Sequence, residues 1–289
     1  MTYKSIFIAF LVALVGFGGG YLSHDKKPAA PTQMEESVFD RVMRTKVLRC
    51  GYVVYPPIYM KDPNTGKATG IFHDLTEEIA KVMGVKVEWT QEASFATYNE
   101  DLRMGRYDAF CSGVWPLAER AEVETYSNPV FYSGVGIWVR KDDKRFTDVD
   151  QVNNEAVTIA AIDGEMAGLI ASQSFPKAKI LSLPASTDQA SMLLNVTTGK
   201  ADVALVDVST ANSFLSHNPD SVRNLVPNDP IRFFPSVYGF KLGEFKIKSA
   251  FDTAIQDFLN NGLIGNLLNK YEEHPHSLYR VAKPYRNHD

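Results

Sequence analysis

The chain has 289 residues, 45% hydrophobic and 22% charged, a balance that supports two domains with real cores and excludes a disordered or fibrous chain. The formal net charge is −4, and lysines and arginines are scattered with no arginine-rich arm or aromatic-basic stripe, which argues against a nucleic-acid partner.

The first element is an uncharged run, residues 5–22, that follows Lys4. Residues 6–17 match the apolar part of a signal peptide, and the whole run approaches the ~20 residues needed to cross a bilayer. A cleaved signal and a retained anchor are both open. No cysteine follows where a lipid would be attached, and residues 23–36, with Lys26, Lys27, Pro28 and Pro31, read as a linker. The folded body is expected outside the cytoplasm.

Residues 47–52 read as the first strand, with Tyr55, Pro56 and Pro57 in the loop leaving it and a turn at residues 62–66. A helix is expected to start at Asp74 as its cap and to end at Gly84, with Leu75, Ile79 and Val82 on one face. A strand at 85–89 and a helix at 98–104 follow, then Gly105, Arg106, Tyr107 and Asp108 ahead of an apolar run. The same spacing recurs as Gly199, Lys200, Ala201 and Asp202. Each copy reads as a helix end, where glycine suits the left-handed residue, leading into a buried strand. Between them lie a charged turn at 140–144, a strand at 157–162, a helix at 165–174, a strand at 179–183 and a helix at 186–198. After Asp207 come a helix through Phe214, a proline-rich stretch at 227–235, a strand at 238–240 and terminal helices at 247–259 and 264–271.

This order implies two similar α/β lobes, each a mainly parallel sheet flanked by helices. Lobe 1 would span residues 37–133 and 238–289, lobe 2 residues 134–237, and two chain crossings would form a hinge. The first repeat leads to Arg120 and the second stops at Asp207, so one lobe offers a cation and the other an anion. Ligands gather at the carboxyl ends of strands in such sheets, which points to a small molecule held between the lobes. Both cysteines, Cys50 and Cys111, fall on strands of lobe 1. Adjacent parallel strands seldom set two side chains at the disulfide angle, so two buried free thiols are expected. His274 and His276 lack cysteine or carboxylate partners at ligand spacing and read as a solvated tail; no metal or other cofactor is implied.

Several segments, in order, resemble the family 3 extracellular solute-binding proteins of amino-acid-type ABC transporters. They are Pro56–Pro57, the run from Thr69 through Gly70 to Leu75, the Gly105 to Gly113 segment, Glu119 with Arg120, the stretch Tyr126, Ser127, Asn128 and Pro129, the Asp202 to Asp207 strand, and Asn261 with Gly262. The resemblance implies a type II periplasmic-binding-protein-like fold closing on a ligand as a hinged clamp, a monomer, and an ABC permease as partner. It also implies that Arg120 pairs with a ligand carboxylate and Asp207 with its ammonium, that Tyr52, Tyr55 and Phe95 form aromatic walls, and that the Gly113 backbone approaches the ligand. A surface salt bridge of Arg120 with Glu124 and a helix-capping role for Asp207 are the plain alternatives.

Departures from the family pattern bear on the ligand. Trp115 and Leu117 stand where two carboxylate-holding threonines are common, and Gly164–Glu165 stands where Gly-Thr is usual. Glu165 would repel a carboxylate unless it points away, and Trp115 offers a broad face to a ring or a cation, so the ligand is aromatic, cationic or amine-bearing in this reading. An enzyme on the same scaffold, similar to dehydratases of small cyclic acids, would use Glu165 or His73 as an acid, but no nucleophile elbow, phosphate loop or metal motif supports catalysis. A sensory ectodomain would need a separate output partner.

Overall fold

The structure, a computed structural model, describes residues 36–275 and 277–282. The expected signal or anchor at 1–22 and nearly all of the linker lie outside the described residues, and among those described no helix is long and apolar enough to cross a membrane. The elements in chain order are α1 (Val38–Thr45), β1 (Val47–Tyr52), β2 (Met60–Lys61), β3 (Ala68–Thr69), α2 (Ile71–Met83), β4 (Lys86–Glu92), α3 (Tyr98–Arg103), β5 (Ala109–Val114), β6 (Glu124–Tyr126) and β7 (Phe131–Arg140). Then follow β8 (Thr158–Ile162), α4 (Met166–Ser174), β9 (Lys179–Leu183), α5 (Ala190–Thr197), β10 (Val203–Asp207), α6 (Val208–His217), β11 (Val222–Asn224), β12 (Arg232–Lys241), α7 (Phe245–Asn260), α8 (Leu263–Tyr271) and β13 (Leu278–Arg280).

The main sheet path runs β4-β1-β5-β12-β7-β10-β8-β9. At one end β4, β1 and β5 are parallel, at the other β9, β8 and β10 are parallel, and the antiparallel strands β12 and β7 join the halves. Two cores result. One gathers Leu48, Phe72, Leu75, Ile79, Phe131 and Phe251, and the other gathers Ile137, Ile159, Ile170, Leu193, Val203 and Leu205.

The repeated glycine–basic–spacer–aspartate motif has the same construction in both halves. Gly105 and Gly199 take left-handed φ values of 69° and 73°. Each aspartate then clasps the neighbouring central strand. The Asp108 amide donates to the Arg49 carbonyl at 2.9 Å while the Arg49 amide donates to Asp108 Oδ2 at 2.7 Å. In the second half the Asp202 amide donates to the Thr158 carbonyl at 2.8 Å and the Thr158 amide donates to Asp202 Oδ2 at 2.9 Å. Arginines neutralise both carboxylates, Arg49 at 2.8 Å on Asp108 and Arg145 at 2.5 Å on Asp202.

Three expectations need correction. Cys50 and Cys111 form a disulfide instead of remaining free thiols. Cys50 lies opposite Ala109 across the β1–β5 ladder, so Cys111 is its diagonal neighbour on the same sheet face, and a Cα separation of 5.7 Å falls within disulfide range. Asp74 is not the cap of α2, which starts at Ile71 after Gly70. The free amides of Ile71 and Phe72 donate instead to the carbonyls of Pro57 and Ile58, at 3.1 and 2.9 Å, and Asp74 accepts from Lys270 and Tyr271 on α8 at 2.7 and 2.6 Å. Finally, the strand expected at 238–240 begins at Arg232, inside the proline-rich stretch. Its first half pairs with β7, Arg232 opposite Val135 through Ser236 opposite Phe131, and its second half pairs with β5 and β6. β13 borders the other edge of β7 at Phe131 to Ser133.

Candidate functional site

Two pairs of parallel strands, β1 with β5 and β8 with β10, end on the same cleft. The loop after β1 carries Tyr55, β5 ends at Gly113 and Val114 ahead of Trp115, the turn after β8 carries Gly164 and Glu165, and β10 ends at Asp207. A cavity of about 50 Å³ lies among Tyr55, Phe95, Gly113, Trp115, Arg120 and Glu165, and it shares Tyr55, Phe95, Glu165 and Gln189 with the lining of a neighbouring outer groove of about 900 Å³. Gly113 is needed on two counts. Its φ of +68° is left-handed, and a Cβ there would stand 2.9 Å from the Phe72 ring and 3.1 Å from Ile58.

Arg120 closes a three-residue 3₁₀ turn, Ala118–Arg120. It makes no salt bridge with Glu124. Its Nη1 donates to the Tyr98 hydroxyl at 3.0 Å, and Nη2 donates to the carbonyls of Phe95 at 3.3 Å and, across the cleft, Gly164 at 3.4 Å. Tyr98 in turn donates to Glu124 Oε2 at 3.0 Å, so the guanidinium reaches Glu124 through a phenol. Burial raises the Glu124 carboxyl above its ordinary range.

Asp207 is the cap of α6 and is 3% exposed. Its Oδ1 accepts from the Thr210 amide at 3.0 Å and the Ser209 hydroxyl at 2.8 Å, and its Oδ2 accepts from the Thr210 hydroxyl at 2.8 Å. The Tyr55 hydroxyl donates to Oδ2 from the other side of the cleft. Burial, then the Asp207 charge, raise the Tyr55 phenol well above its ordinary value, which keeps it a proton donor. Asp207 thus stands behind Tyr55, outside the cavity lining.

Glu165 precedes α4, and its side chain caps nothing. It accepts from the Gln189 amide and is pushed up to about 7 by burial, with Arg120 acting in the opposite direction. Trp115 lies flat on Phe234, ring centroids 4.6 Å apart and planes within 6°, so one face is covered and its remaining surface meets the cavity. Phe95 meets Tyr55 edge-on at 5.5 Å. Like Asp207, Tyr52 does not line the cavity: it stacks on Tyr59 at 4.6 Å and accepts from Lys61 at 3.2 Å. Met166, Gln189 and Tyr98 belong to the site without having been singled out from the sequence. Gln189 lies 24 residues beyond Glu165, a distance at which no local spacing rule applies.

The chain is similar to known proteins along most of its length. The chain is 25% identical over 271 residues to a probable histidine-binding protein of Campylobacter jejuni subsp. jejuni, covering 93% of this chain and 99% of that one. It is 23% identical over 219 residues to a probable amino-acid-binding protein of Bacillus subtilis (strain 168), covering 75% and 80%. Among solved structures, an ancestral amino acid-binding protein described as a precursor of cyclohexadienyl dehydratase superposes with a TM-score of 0.71 at 25% identity, covering 81% of this chain and 99% of that chain. The two parallel half-sheets joined by β7 and β12 are accordingly a type II periplasmic-binding fold. Residues 48–274 match the bacterial extracellular solute-binding proteins, family 3, and the chain belongs to that family.

Proposed function

We propose that this protein captures a small polar, amino-acid-like or amine-bearing solute between lobes 37–133 plus 238–289 and 134–237, and delivers it to an ABC permease of the inner membrane. It works outside the cytoplasm as a monomer without chemistry of its own, either released by signal cleavage or tethered by residues 5–22. The names of the relatives, histidine- and amino-acid-binding proteins, support this reading. The observation that carries it is a pair of hydrogen bonds across the cleft, Tyr55 to Asp207 and Arg120 to Gly164, closing over a cavity with aromatic walls and one acid. Ligand selects the closed state by filling that cavity. Arg120, Glu165, Trp115, Tyr55, Phe95 and the Gly113 backbone meet the solute, and Asp207 serves closure.

The test is a thermal-shift panel of amino acids, amines and organic acids on the full-length protein in mild detergent. One solute class is expected to raise the melting temperature, because a ligand that binds only the folded state stabilises it by mass action. A panel with no stabilising member refutes the reading. Glu165, half-protonated near neutral pH inside a closed cleft, also favours a second reading in which it donates a proton to a small cyclic acid during elimination. Turnover of such an acid by the isolated protein establishes that reading over pure binding.

A further inference from the structure

We propose that the solute is a carboxylate-free organic amine whose ammonium group sits on Glu165 and whose body lies against Phe95, Trp115 and Tyr55. This rests on the solute-binding reading and narrows it. The two groups that a zwitterionic head would need are already engaged. The Arg120 fork is turned to Tyr98, Phe95 and Gly164, and its phenol partner is itself held by Glu124. Three of the five Arg120 N–H donors, both of those on Nη2 among them, go to acceptors that fix the guanidinium and bridge the lobes, and a ligand carboxylate gripping Nη2 would displace one of them. Asp207 accepts four hydrogen bonds, two on each oxygen, and a carboxylate has about four acceptor positions. An incoming ammonium finds none of them free while Tyr55 is in place.

Glu165 is different. Its one hydrogen bond comes from the neutral Gln189 amide, and no cation stands within ion-pair distance of it among the described residues. A buried acid facing a cavity gains from a positive partner and loses beside a second carboxylate. The aromatic walls Phe95, Trp115 and Tyr55 suit the same charge, because aromatic faces attract cations, and Arg120, the one cation in the cavity lining, turns its guanidinium to Tyr98, Phe95 and Gly164. The outer groove continues the pattern: besides Glu165, its lining carries Glu92 and Asp188, with no lysine or arginine. The inner cavity, about 50 Å³, has room for a small head group, and the groove that shares Tyr55, Phe95 and Glu165 with it offers space for the body of a longer amine.

The test pairs each amine with its parent amino acid, phenethylamine with phenylalanine, histamine with histidine and cadaverine with lysine, by titration calorimetry on the full-length protein in mild detergent. At least one amine is expected to bind about tenfold or more tightly than its parent, and Glu165→Gln to weaken that amine by about tenfold or more. Glu165→Asp, which keeps the charge, is expected to recover part of the loss. Circular dichroism and melting curves confirm that both variants fold. Parent amino acids that bind as well as their amines, or amine affinity unchanged in Glu165→Gln, overturn the inference and leave solute binding standing. Failure of every amine overturns it as well, and the broader panel above then decides whether any solute binds.

Discussion

Replacing Glu165 by glutamine is expected to change how stability depends on pH, with no ligand present. Burial moves this carboxyl from its ordinary 4.5 to about 7. Because the folded value is raised, the contribution of Glu165 is fully present below about pH 4.5 and is lost as pH rises through about 7. At 1.36 kcal/mol per pH unit the full gap is worth up to about 3 kcal/mol, of which about 2.5 kcal/mol falls between about pH 5 and about pH 8. Partial solvent access and relief by cleft opening reduce this, so about 1–2 kcal/mol is the expected observable. A folded body of about 250 residues shifts its melting temperature by about 2 °C per kcal/mol, which makes about 2–4 °C. The glutamine side chain cannot ionise, so the Glu165→Gln variant should melt close to wild type at about pH 5 and above it by that amount at about pH 8. Differential scanning calorimetry across this range reads the difference directly. A difference that stays constant with pH, or one that shrinks toward high pH, refutes a carboxyl raised by burial at this position.

Tyr55→Phe removes the donor that spans the cleft to Asp207, a hydrogen bond to a charged acceptor worth roughly 1.5–3 kcal/mol. The ligand-free variant should populate a more open form, with a larger radius of gyration by small-angle X-ray scattering; an unchanged scattering curve contradicts a latch role. The disulfide joins residues 61 apart, and the chain-entropy relation assigns a loop of that size about 4 kcal/mol. The double variant Cys50→Ala, Cys111→Ala should therefore melt about 8 °C below wild type. Alkylation of the denatured, unreduced protein checks the pairing itself, since labelling at both cysteines would exclude the bond.

The architecture was legible because local rules govern it. Apolar runs at 47–52 and 179–183 coincide with β1 and β9, and the glycines at 84, 105, 199 and 262 all take the left-handed conformation expected at the ends of helices. Of the residues brought forward with the family resemblance, Tyr55, Phe95, Gly113, Trp115, Arg120 and Glu165 line one cavity, while Tyr52 and Asp207 lie outside its lining. What the sequence concealed depends on geometry across elements. A diagonal step between β1 and β5 decides the fate of the cysteines, and carbonyls of the Pro56–Pro57 loop replace the side-chain cap at α2. Tyr52 and Tyr55 differ by three residues in the same segment, yet one stacks beneath Lys61 and the other crosses the cleft, because the strand ends between them. The pairing of Arg120 with the buried Tyr98 could not be read from spacing, since the two residues come from the turn after β5 and from α3.

The clasps made by Asp108 and Asp202 sit just before β5 and β10 begin, whereas the charges that face the cleft, Glu92, Arg120 and Glu165, lie at or beyond the carboxyl ends of strands. Strand alignment and solute choice are thereby assigned to opposite rims of each half-sheet. A substitution at Trp115, Leu117 or Glu165 can redirect what the cleft accepts without disturbing the carboxylates that hold neighbouring strands in register. The scaffold can change its solute repertoire by altering one rim while the other keeps the lobes intact.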